Sequence, residues 1–210
     1  MSRFDDDRQD MIALLKERGI GSDRILRAMG KVERHLFVPE PFTGRAYEDS
    51  ALPIGKGQTI SQPYTVAFMT QALLVKEGDK ILEVGTGSGY QACILAELGA
   101  RVFSIERNLD LLSSARRMFD LLDYRVASKG GDGTVGWKEF EPFNGIIVTA
   151  GAPGIPDPLL KQLADGGRLV IPVGDRDIQT LIVCERRGDD YDRREIDGFK
   201  FVPLIGKMGW

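Results

Sequence analysis

The chain has 210 residues, of which 42% are hydrophobic and 28% charged, a composition typical of a soluble globular protein. Its 28 basic and 31 acidic residues give a net charge of -3. The chain therefore lacks the excess of positive charge by which proteins bind nucleic acid or a membrane surface. Two cysteines are too few for a disulfide framework, and no cluster of metal ligands surrounds them, so we expect buried thiols and no metal site. Neither a signal peptide nor an apolar run of about 18 residues is found, which predicts a cytoplasmic location and no membrane partner.

The first third of the chain predicts two helices and a long loop. Apolar residues recur at helical spacing over residues 4–18 and end before Gly19, and Ser22 can begin a second short helix that runs through Met29. Two prolines in FVPEPF then break regular structure. The polar, glycine-rich stretch 45–62 has no period, which predicts a long loop, and such loops within a compact domain are more often functional than idle.

From Pro63 onward, predicted helices alternate with predicted strands. Helices are predicted for YTVAFMTQALLV (with its stop at Gly78), YQACILAELG, NLDLLSSARRMFDLL and PDPLLKQLADGG. Strands are predicted for KILEVG, RVFSIE, NGIIVTAG, RLVIPVG, QTLIVCER and KFVPLIG, and for the segment just before GGDGT. The alternation predicts an α/β fold with a doubly wound, mainly parallel sheet and extra N-terminal helices.

A glycine turn in ILEVGTGSGYQA is the strongest functional signal. Gly85, Gly87 and Gly89 alternate between a predicted strand and a predicted helix, where a turn without Cβ atoms lets a ligand lie against the backbone. A dinucleotide fingerprint would need its third glycine at the position of Tyr90, which disfavours a nicotinamide oxidoreductase. Glu83, two residues before the first glycine, would oppose a pyrophosphate but suits a ligand with a positive charge. A plain structural turn is the alternative.

Two further acidic residues follow the next predicted strands. Glu106 ends RVFSIE, and from an adjacent strand end its two oxygens can accept both hydroxyls of a ribose. Asp132, which precedes Gly133 in GGDGT, can accept a hydrogen bond from an exocyclic amine such as adenine N6, although Asp-Gly is also a common turn. Together with Glu83, these residues describe a nucleoside that has a cationic group and no phosphate: S-adenosylmethionine.

Ser61 and His35 each have two possible roles. Ser61 lies just before Pro63, where a serine is a good helix N-cap, and the alternative is that its hydroxyl contacts a substrate. His35 is the single histidine. Because no nucleophile stands beside it in the sequence, we interpret it as structural or solvent-facing rather than as part of a hydrolase triad.

The motifs taken together resemble a known family. EVGTGSGY followed by IE and GDG resembles class I S-adenosylmethionine-dependent methyltransferases, which have a Rossmann-like fold. VPE, AYEDSALPIGKGQTISQP, NGIIVTA and FVPL are similar to protein-L-isoaspartate O-methyltransferases over about residues 34–210, and GQTISQP is the most specific part. The resemblance implies methyl transfer to the free carboxylate of L-isoaspartyl, and some D-aspartyl, residues in damaged proteins and peptides, with S-adenosylhomocysteine as the product. This transfer would initiate repair.

The resemblance also implies a set of site residues. The active-site serine of the family falls on Ser61. The cofactor contacts, with Glu83 added from the charge argument above, fall on Thr59, Ile60, Gln62, Glu83, Gly85, Gly87, Gly89, Glu106, Asp132 and Gly133. No contact is carried onto GKMGW, which departs from the longer ends of some members. We expect a single methyltransferase domain over residues 1–210, with N-terminal helices and the active-site loop in 1–62 and the cofactor-binding core and C-terminal strands in 63–210.

The chemistry agrees with the scarcity of histidine. A carboxylate acceptor, with a reference pKa of about 4, is already ionised at pH 7 and needs no general base. Catalysis can then rest on positioning, and a hydroxyl at Ser61 could orient the acceptor. Two alternatives remain open: a methyltransferase acting on another carboxylate or a small molecule, and a non-catalytic domain that binds the cofactor.

Overall fold

The computed structural model describes residues 3–210, which form two N-terminal helices, a small hairpin and an α/β core. The helices are α1 (Arg3–Glu17), α2 (Asp23–Lys31), α3 (Pro63–Leu73), α4 (Tyr90–Glu97), α5 (Leu109–Leu121) and α6 (Asp157–Lys161). The strands are β1 (Leu52–Gly55), β2 (Gln58–Ile60), β3 (Lys80–Val84), β4 (Arg101–Glu106), β5 (Val126–Gly130), β6 (Phe143–Val148), β7 (Leu163–Gly174), β8 (Gln179–Arg187) and β9 (Asp190–Phe199). No helix within residues 3–210 is long and apolar enough to cross a membrane.

Seven strands form the main sheet in the order β5-β4-β3-β6-β7-β8-β9. The first five in this order are parallel, and β8 and β9 add to the β7 edge as antiparallel strands. The predicted doubly wound, mainly parallel α/β fold is therefore confirmed. The chain runs from β3 outward to β5 and then returns to β6 beside β3, so the strand order reverses between β3 and β6. Ligands of such sheets bind at the carboxyl ends of the strands at this switch point.

Apolar side chains alternate along the strands and form two clusters, one on each face of the sheet. Ile147 and Val170 belong to the first cluster, and their neighbours Ile146 and Leu169 belong to the second. The first cluster also contains Met11 and other residues of the N-terminal helices, all of them buried. Because one core joins the N-terminal segment to the sheet, we propose that residues 1–62 and 63–210 are parts of a single domain.

The prediction of an uninterrupted loop over residues 45–62 is wrong, because β1 and β2 form an antiparallel hairpin there. Lys56 and Gly57 make its two-residue turn with φ of 54° and 69°, and positive φ at both positions suits the twist of a hairpin. Buried Leu52 pairs with buried Ile60. The strands have only four and three residues, too few to show a period.

Three other predicted boundaries are corrected. Helix α3 ends at Leu73, not at Gly78, because Leu74 adopts a left-handed conformation with φ 55°. The helix predicted for PDPLLKQLADGG stops at Lys161, since β7 begins at Leu163 and pairs with β6. KFVPLIG contributes only an isolated bridge at Pro203, and the last strand is β9. That strand is mostly charged and exposed, so it has no apolar alternation to reveal it.

The interpretations of the histidine and the cysteines are confirmed. The Nδ1 of His35 lies 2.9 Å from the Tyr47 hydroxyl, and its ring stacks on Phe4 with centroids 4.0 Å apart. Burial lowers the pKa of this imidazole. Cys93 and Cys184 are both buried free thiols.

Candidate functional site

A cavity opens at the carboxyl ends of β3, β4 and β6, where the strand order reverses. The glycine turn forms one wall, the loop that contains Ser61 forms another, and residues 202–205 of the C-terminal segment form a third. The predicted site residues that line it are Thr59, Ile60, Ser61, Glu83, Gly85, Gly87, Glu106 and Gly133. We call it the first cavity.

The glycine turn is packed so tightly that a side chain at two of its glycines would clash with neighbours and strain the backbone. Gly85, with φ 99°, would place a Cβ 2.4 Å from the Thr149 Oγ1, and Gly89, with φ 90°, would place one 2.7 Å from the Phe119 ring. The Thr149 hydroxyl donates to the Gly85 carbonyl at 2.7 Å. The turn therefore presents bare backbone to the cavity on one side while side chains hold it from the other. Gly89 itself is on the packed side and does not line the cavity.

Glu106 ties this turn to the end of β4. Its Oε2 accepts a hydrogen bond from the Gly87 N–H and its Oε1 accepts one from the Asn108 N–H, both at 2.9 Å. The residue is 7% exposed. A carboxylate oxygen can accept more than one hydrogen bond. The carboxylate is therefore held rigidly and keeps capacity for two further donors, such as the vicinal hydroxyls of a ribose.

Glu83 lines the same cavity and carries a buried, unsatisfied oxygen. Its side chain is fully buried, Oε2 accepts a hydrogen bond from the Ser104 hydroxyl at 2.5 Å, and Oε1 has no hydrogen-bond partner within residues 3–210. Burial raises the pKa of Glu83 to about 8, against the opposing effect of the Ser104 hydrogen bond and with a further rise from the charge of Glu106. A buried carboxyl oxygen without a partner is rare in native proteins. It suits a ligand that brings a positive charge.

Asp132 does not line the cavity, although its neighbours Gly131 and Gly133 do. Its Oδ1 accepts hydrogen bonds from the N–H and the hydroxyl of Thr134, and its Oδ2 accepts one from the Lys207 N–H at 2.8 Å. Partial burial alone would raise the pKa of Asp132, but these donors outweigh it and lower the pKa. Asp132 thus fastens the C-terminal segment to the loop after β5. A contact with an adenine amine stays a prediction.

A second cavity adjoins the first on the far side of the loop that contains Ser61. Thr59, Ser61 and Thr149 line both cavities, while Gln62 lines only the second. Arg18 from the end of α1, Tyr64 from α3 and residues 196–202 around the end of β9 complete the second cavity. The arrangement places Ser61 at the junction of two spaces, each of which can hold a different ligand.

The structure excludes one of the two possible roles of Ser61, that of a helix N-cap. Helix α3 begins at Pro63, so the cap position belongs to Gln62, and the Gln62 side chain makes no capping hydrogen bond. The Tyr64 N–H instead donates to the Asp49 Oδ1 at 2.8 Å. Within the described part of the chain, the Ser61 side chain has no hydrogen-bond partner. Its hydroxyl is available to a ligand.

Sequence reasoning missed several residues that build this site. Asn108 caps α5 by accepting from the N–H groups of Asp110 and Leu111, and its place before the helix was a readable signal. Thr149 follows the end of β6, where the switch-point rule could have indicated it. No local signal marks Arg18, which lines the second cavity, or Asp49, which accepts from the Tyr64 N–H, because folding alone brings both to these positions.

The comparison with protein families decides the identification. The family model for protein-L-isoaspartate(D-aspartate) O-methyltransferase matches residues 6–209. The chain belongs to this family.

Individual relatives cover almost the whole chain. A protein-L-isoaspartate O-methyltransferase of Syntrophus aciditrophicus is 53% identical over 215 residues, covering 100% of this chain and 99% of the relative. One of Dictyoglomus thermophilum is 49% identical over 208 residues, covering 99% of this chain and 94% of the relative. The resemblance stated for the motifs therefore extends over the full length.

Solved structures of the family agree with the fold. A protein-L-isoaspartate O-methyltransferase superposes with a TM-score of 0.89 at 27% identity, covering 96% of this chain and 67% of that one. A Plasmodium falciparum protein of the family, solved in complex with S-adenosyl-L-homocysteine, superposes with a TM-score of 0.82 at 26% identity, covering 94% of this chain and 98% of that one. In residues 3–210, no three His, Cys, Asp or Glu side chains form a group that could hold a metal ion, and activity without a metal stays a prediction.

Replacing Glu83 with Gln should change how stability depends on pH. The pKa of Glu83 is raised in the folded state, so its contribution is fully present below its unfolded pKa and is lost as pH rises toward about 8. The free energy of unfolding of Glu83→Gln, relative to the wild type without ligand, should therefore rise between pH 5 and pH 8 by at most about 1.4 kcal/mol per pH unit. Denaturant titrations across this range measure the difference. The exposed Glu141→Gln serves as a control. If the free energies of unfolding of wild type and Glu83→Gln change in parallel with pH, the pKa of Glu83 is not raised in the folded protein.

Replacing Glu106 with Gln should weaken cofactor binding. The amide nitrogen would face the N–H of either Gly87 or Asn108, and the charged acceptor for the ribose would be lost. Hydrogen bonds to charged groups contribute about 1.5–3 kcal/mol, and about 1.4 kcal/mol corresponds to one decade, so affinity should fall roughly 10- to 150-fold. Calorimetric titration with S-adenosylhomocysteine measures this. Asp120→Asn, at an exposed position near the end of α5, should bind within about twofold of wild type; equal affinity in Glu106→Gln would rule out the ribose contact.

Proposed function

We propose that the protein transfers a methyl group from S-adenosylmethionine to the free carboxylate of L-isoaspartyl, and some D-aspartyl, residues in damaged proteins and peptides. The transfer is the initiating step of their repair. The observation that carries the proposal is the free hydroxyl of Ser61 at the junction of the two cavities, in a chain that belongs to this family. S-adenosylmethionine supplies an electrophilic methyl group on a positively charged sulfur.

The residues of the first cavity suit this cofactor. Glu106 offers its carboxylate to the ribose hydroxyls. Burial raises the pKa of Glu83 to about 8, and a cationic group bound in this cavity would stabilise its carboxylate and lower that pKa. The bare backbone of the Gly85–Gly89 turn lets a ligand approach closely. Thr59 and Ile60 close the opposite wall, with Gln62 adjoining from the second cavity.

The residues of the second cavity suit a carboxylate acceptor. The acceptor has a reference pKa of about 4 and is ionised at pH 7, so no residue has to remove a proton. The Ser61 hydroxyl donates a hydrogen bond to one carboxylate oxygen and thereby orients the other toward the first cavity. Lys200, exposed at the rim, adds a positive charge that attracts an anionic group. The contribution of the chain is orientation and exclusion of water rather than acid-base chemistry.

Two other functions would use the same fold. A methyltransferase for another carboxylate or a small molecule would keep the first cavity and fill the second differently, and a non-catalytic cofactor-binding domain would have no need of the second. The free hydroxyl of Ser61 between the two cavities favours catalysis. The net charge of -3 gives no support for a nucleic-acid or membrane partner, and we propose a cytoplasmic location.

A matched peptide pair tests the function. Two peptides that differ only in an aspartyl or an isoaspartyl linkage are incubated with the protein and labelled S-adenosylmethionine. We expect label on the isoaspartyl peptide and at most trace label on the aspartyl peptide. Equal labelling of the two would indicate a different methyl acceptor, and cofactor binding with no labelling of either would indicate a non-catalytic domain.

Replacing Ser61 with Ala should reduce turnover without reducing stability. Removal of one positioning hydrogen bond raises a barrier by roughly 1.4–4 kcal/mol, by analogy with oxyanion donors, so kcat should fall about tenfold or more. The melting temperature should stay close to that of the wild type, since Ser61 caps no helix, and cofactor affinity should change little. Methylation rates and thermal melts are compared with Ser114→Ala, which removes an exposed hydroxyl from α5. A wild-type kcat in Ser61→Ala would refute the role of the hydroxyl.

A further inference from the structure

The start of helix α3 lacks a local cap, although it directly follows Ser61. Pro63 at the first position has no N–H, and within residues 3–210 the Gln62 side chain makes no capping hydrogen bond. The Tyr64 N–H is therefore the first that needs an acceptor. Asp49 supplies this acceptor from 15 residues earlier in the chain, with its Oδ1 2.8 Å from the Tyr64 nitrogen.

The second oxygen of Asp49 forms an ion pair with a residue of another segment. Its Oδ2 pairs with the Nη1 of Arg18, which follows the end of α1. The Arg18 guanidinium in turn lies over the Tyr64 ring, with its Cζ 3.7 Å from the ring centroid. Arg18, Asp49 and Tyr64 thus form a closed set of contacts, and the Asp49 side chain within it is only 13% exposed.

A buried arginine holds the loop that carries Asp49. Arg34 is 0% exposed. Its Nε donates to the Ala46 carbonyl at 2.7 Å, and its Nη2 lies 3.5 Å from the Ser50 carbonyl. The backbone is therefore held on both sides of Asp49, and the carboxylate is presented to α3 from a loop that cannot easily shift.

These contacts bear directly on the position of the Ser61 hydroxyl. Ser61 lies three residues before Tyr64, and Arg18, Ser61 and Tyr64 all line the second cavity. A displacement of about 1 Å can reduce a positioned reaction by about 10²-fold. A cap taken from Ser61 itself would engage the hydroxyl, whereas a cap from Asp49 leaves it free.

We propose that Asp49 is a positioning residue for methyl transfer. By capping α3 from a separate loop, Asp49 fixes the place of Ser61 and keeps the Ser61 hydroxyl available to the acceptor carboxylate. The inference rests on the proposed function. A purely structural cap would affect stability alone, so the test separates turnover from stability.

The experiment compares three substitutions of Asp49 with a matched cap removal elsewhere. Asp49→Ala removes the acceptor, Asp49→Asn keeps an oxygen at the same distance, and Asp49→Glu keeps the charge but displaces the oxygen by one methylene. Ser22→Ala removes the cap of α2, where the Ser22 side chain accepts from the Ile25 N–H, away from both cavities. Thermal melts, kcat and KM for the isoaspartyl peptide, and the Kd for S-adenosylhomocysteine are measured well below every melting temperature.

We expect kcat to fall about 10- to 100-fold in Asp49→Ala and Asp49→Glu, with the Kd for S-adenosylhomocysteine within about twofold of wild type. Asp49→Asn should retain kcat within about threefold, and Ser22→Ala should melt earlier while keeping wild-type kcat. If Asp49→Ala melts earlier but keeps wild-type kcat, Asp49 is only a structural cap. If Asp49→Ala does not fold, equal kcat in Asp49→Asn and Asp49→Glu would overturn the proposal. If the wild type leaves the isoaspartyl peptide unmethylated, both the proposed function and the role of Asp49 are overturned. If the wild type is active, a contrary result in the Asp49 variants overturns only the role of Asp49.

Discussion

One carboxylate joins the two loops on which the cofactor side of the molecule depends. Glu106 accepts from the N–H groups of Gly87 and Asn108, and Asn108 accepts from the first N–H groups of α5. The glycine turn, the end of β4 and the start of α5 are therefore one hydrogen-bonded unit. Backbone donors at strand ends that have no such acceptor would be left unpaired or mobile. Because the unit is complete in the protein alone, little ordering remains to oppose cofactor binding.

The second cavity, which we propose binds the methyl acceptor, depends on contacts between segments that are distant in the chain. Its position is set by residues far apart in the chain: Arg18 after α1, Asp49 in the loop before the hairpin, and Tyr64 in α3. The two sides meet at Thr149, which lines both cavities and fastens Gly85. The order of the strands thus sets the position of most residues that line the first cavity. The packing of the N-terminal segment against α3 sets the position of residues that line the second. A reaction between a ligand in each cavity requires the two cavities to be fixed relative to one another.

This division explains which features could be predicted from the sequence. The glycine turn and Glu106 were predictable because a strand, a turn and a helix in succession form a local pattern. The Asp132 contact with the cofactor stays a prediction, and the N–H of Lys207, 75 residues away, also donates to its carboxylate; no local pattern indicates such a partner. The possible role of Ser61 as a helix cap is excluded by another distant partner, since Asp49 supplies the acceptor at the start of α3. Strand β9 was missed because apolar alternation arises only where one face of a strand is buried.

Strand β9 also bears on how the molecule behaves among other chains. Among the residues that the structure describes, it pairs with β8 on one side only, and its outer backbone groups have no strand partner. Six of its ten residues are charged, in the sequence DYDRREIDGF, and most are exposed. A foreign strand that added to this edge would have to desolvate those charges, which natural sheets use to discourage such pairing. The edge is therefore a poor template for an extended segment of another protein, including a damaged substrate whose chain is partly unfolded.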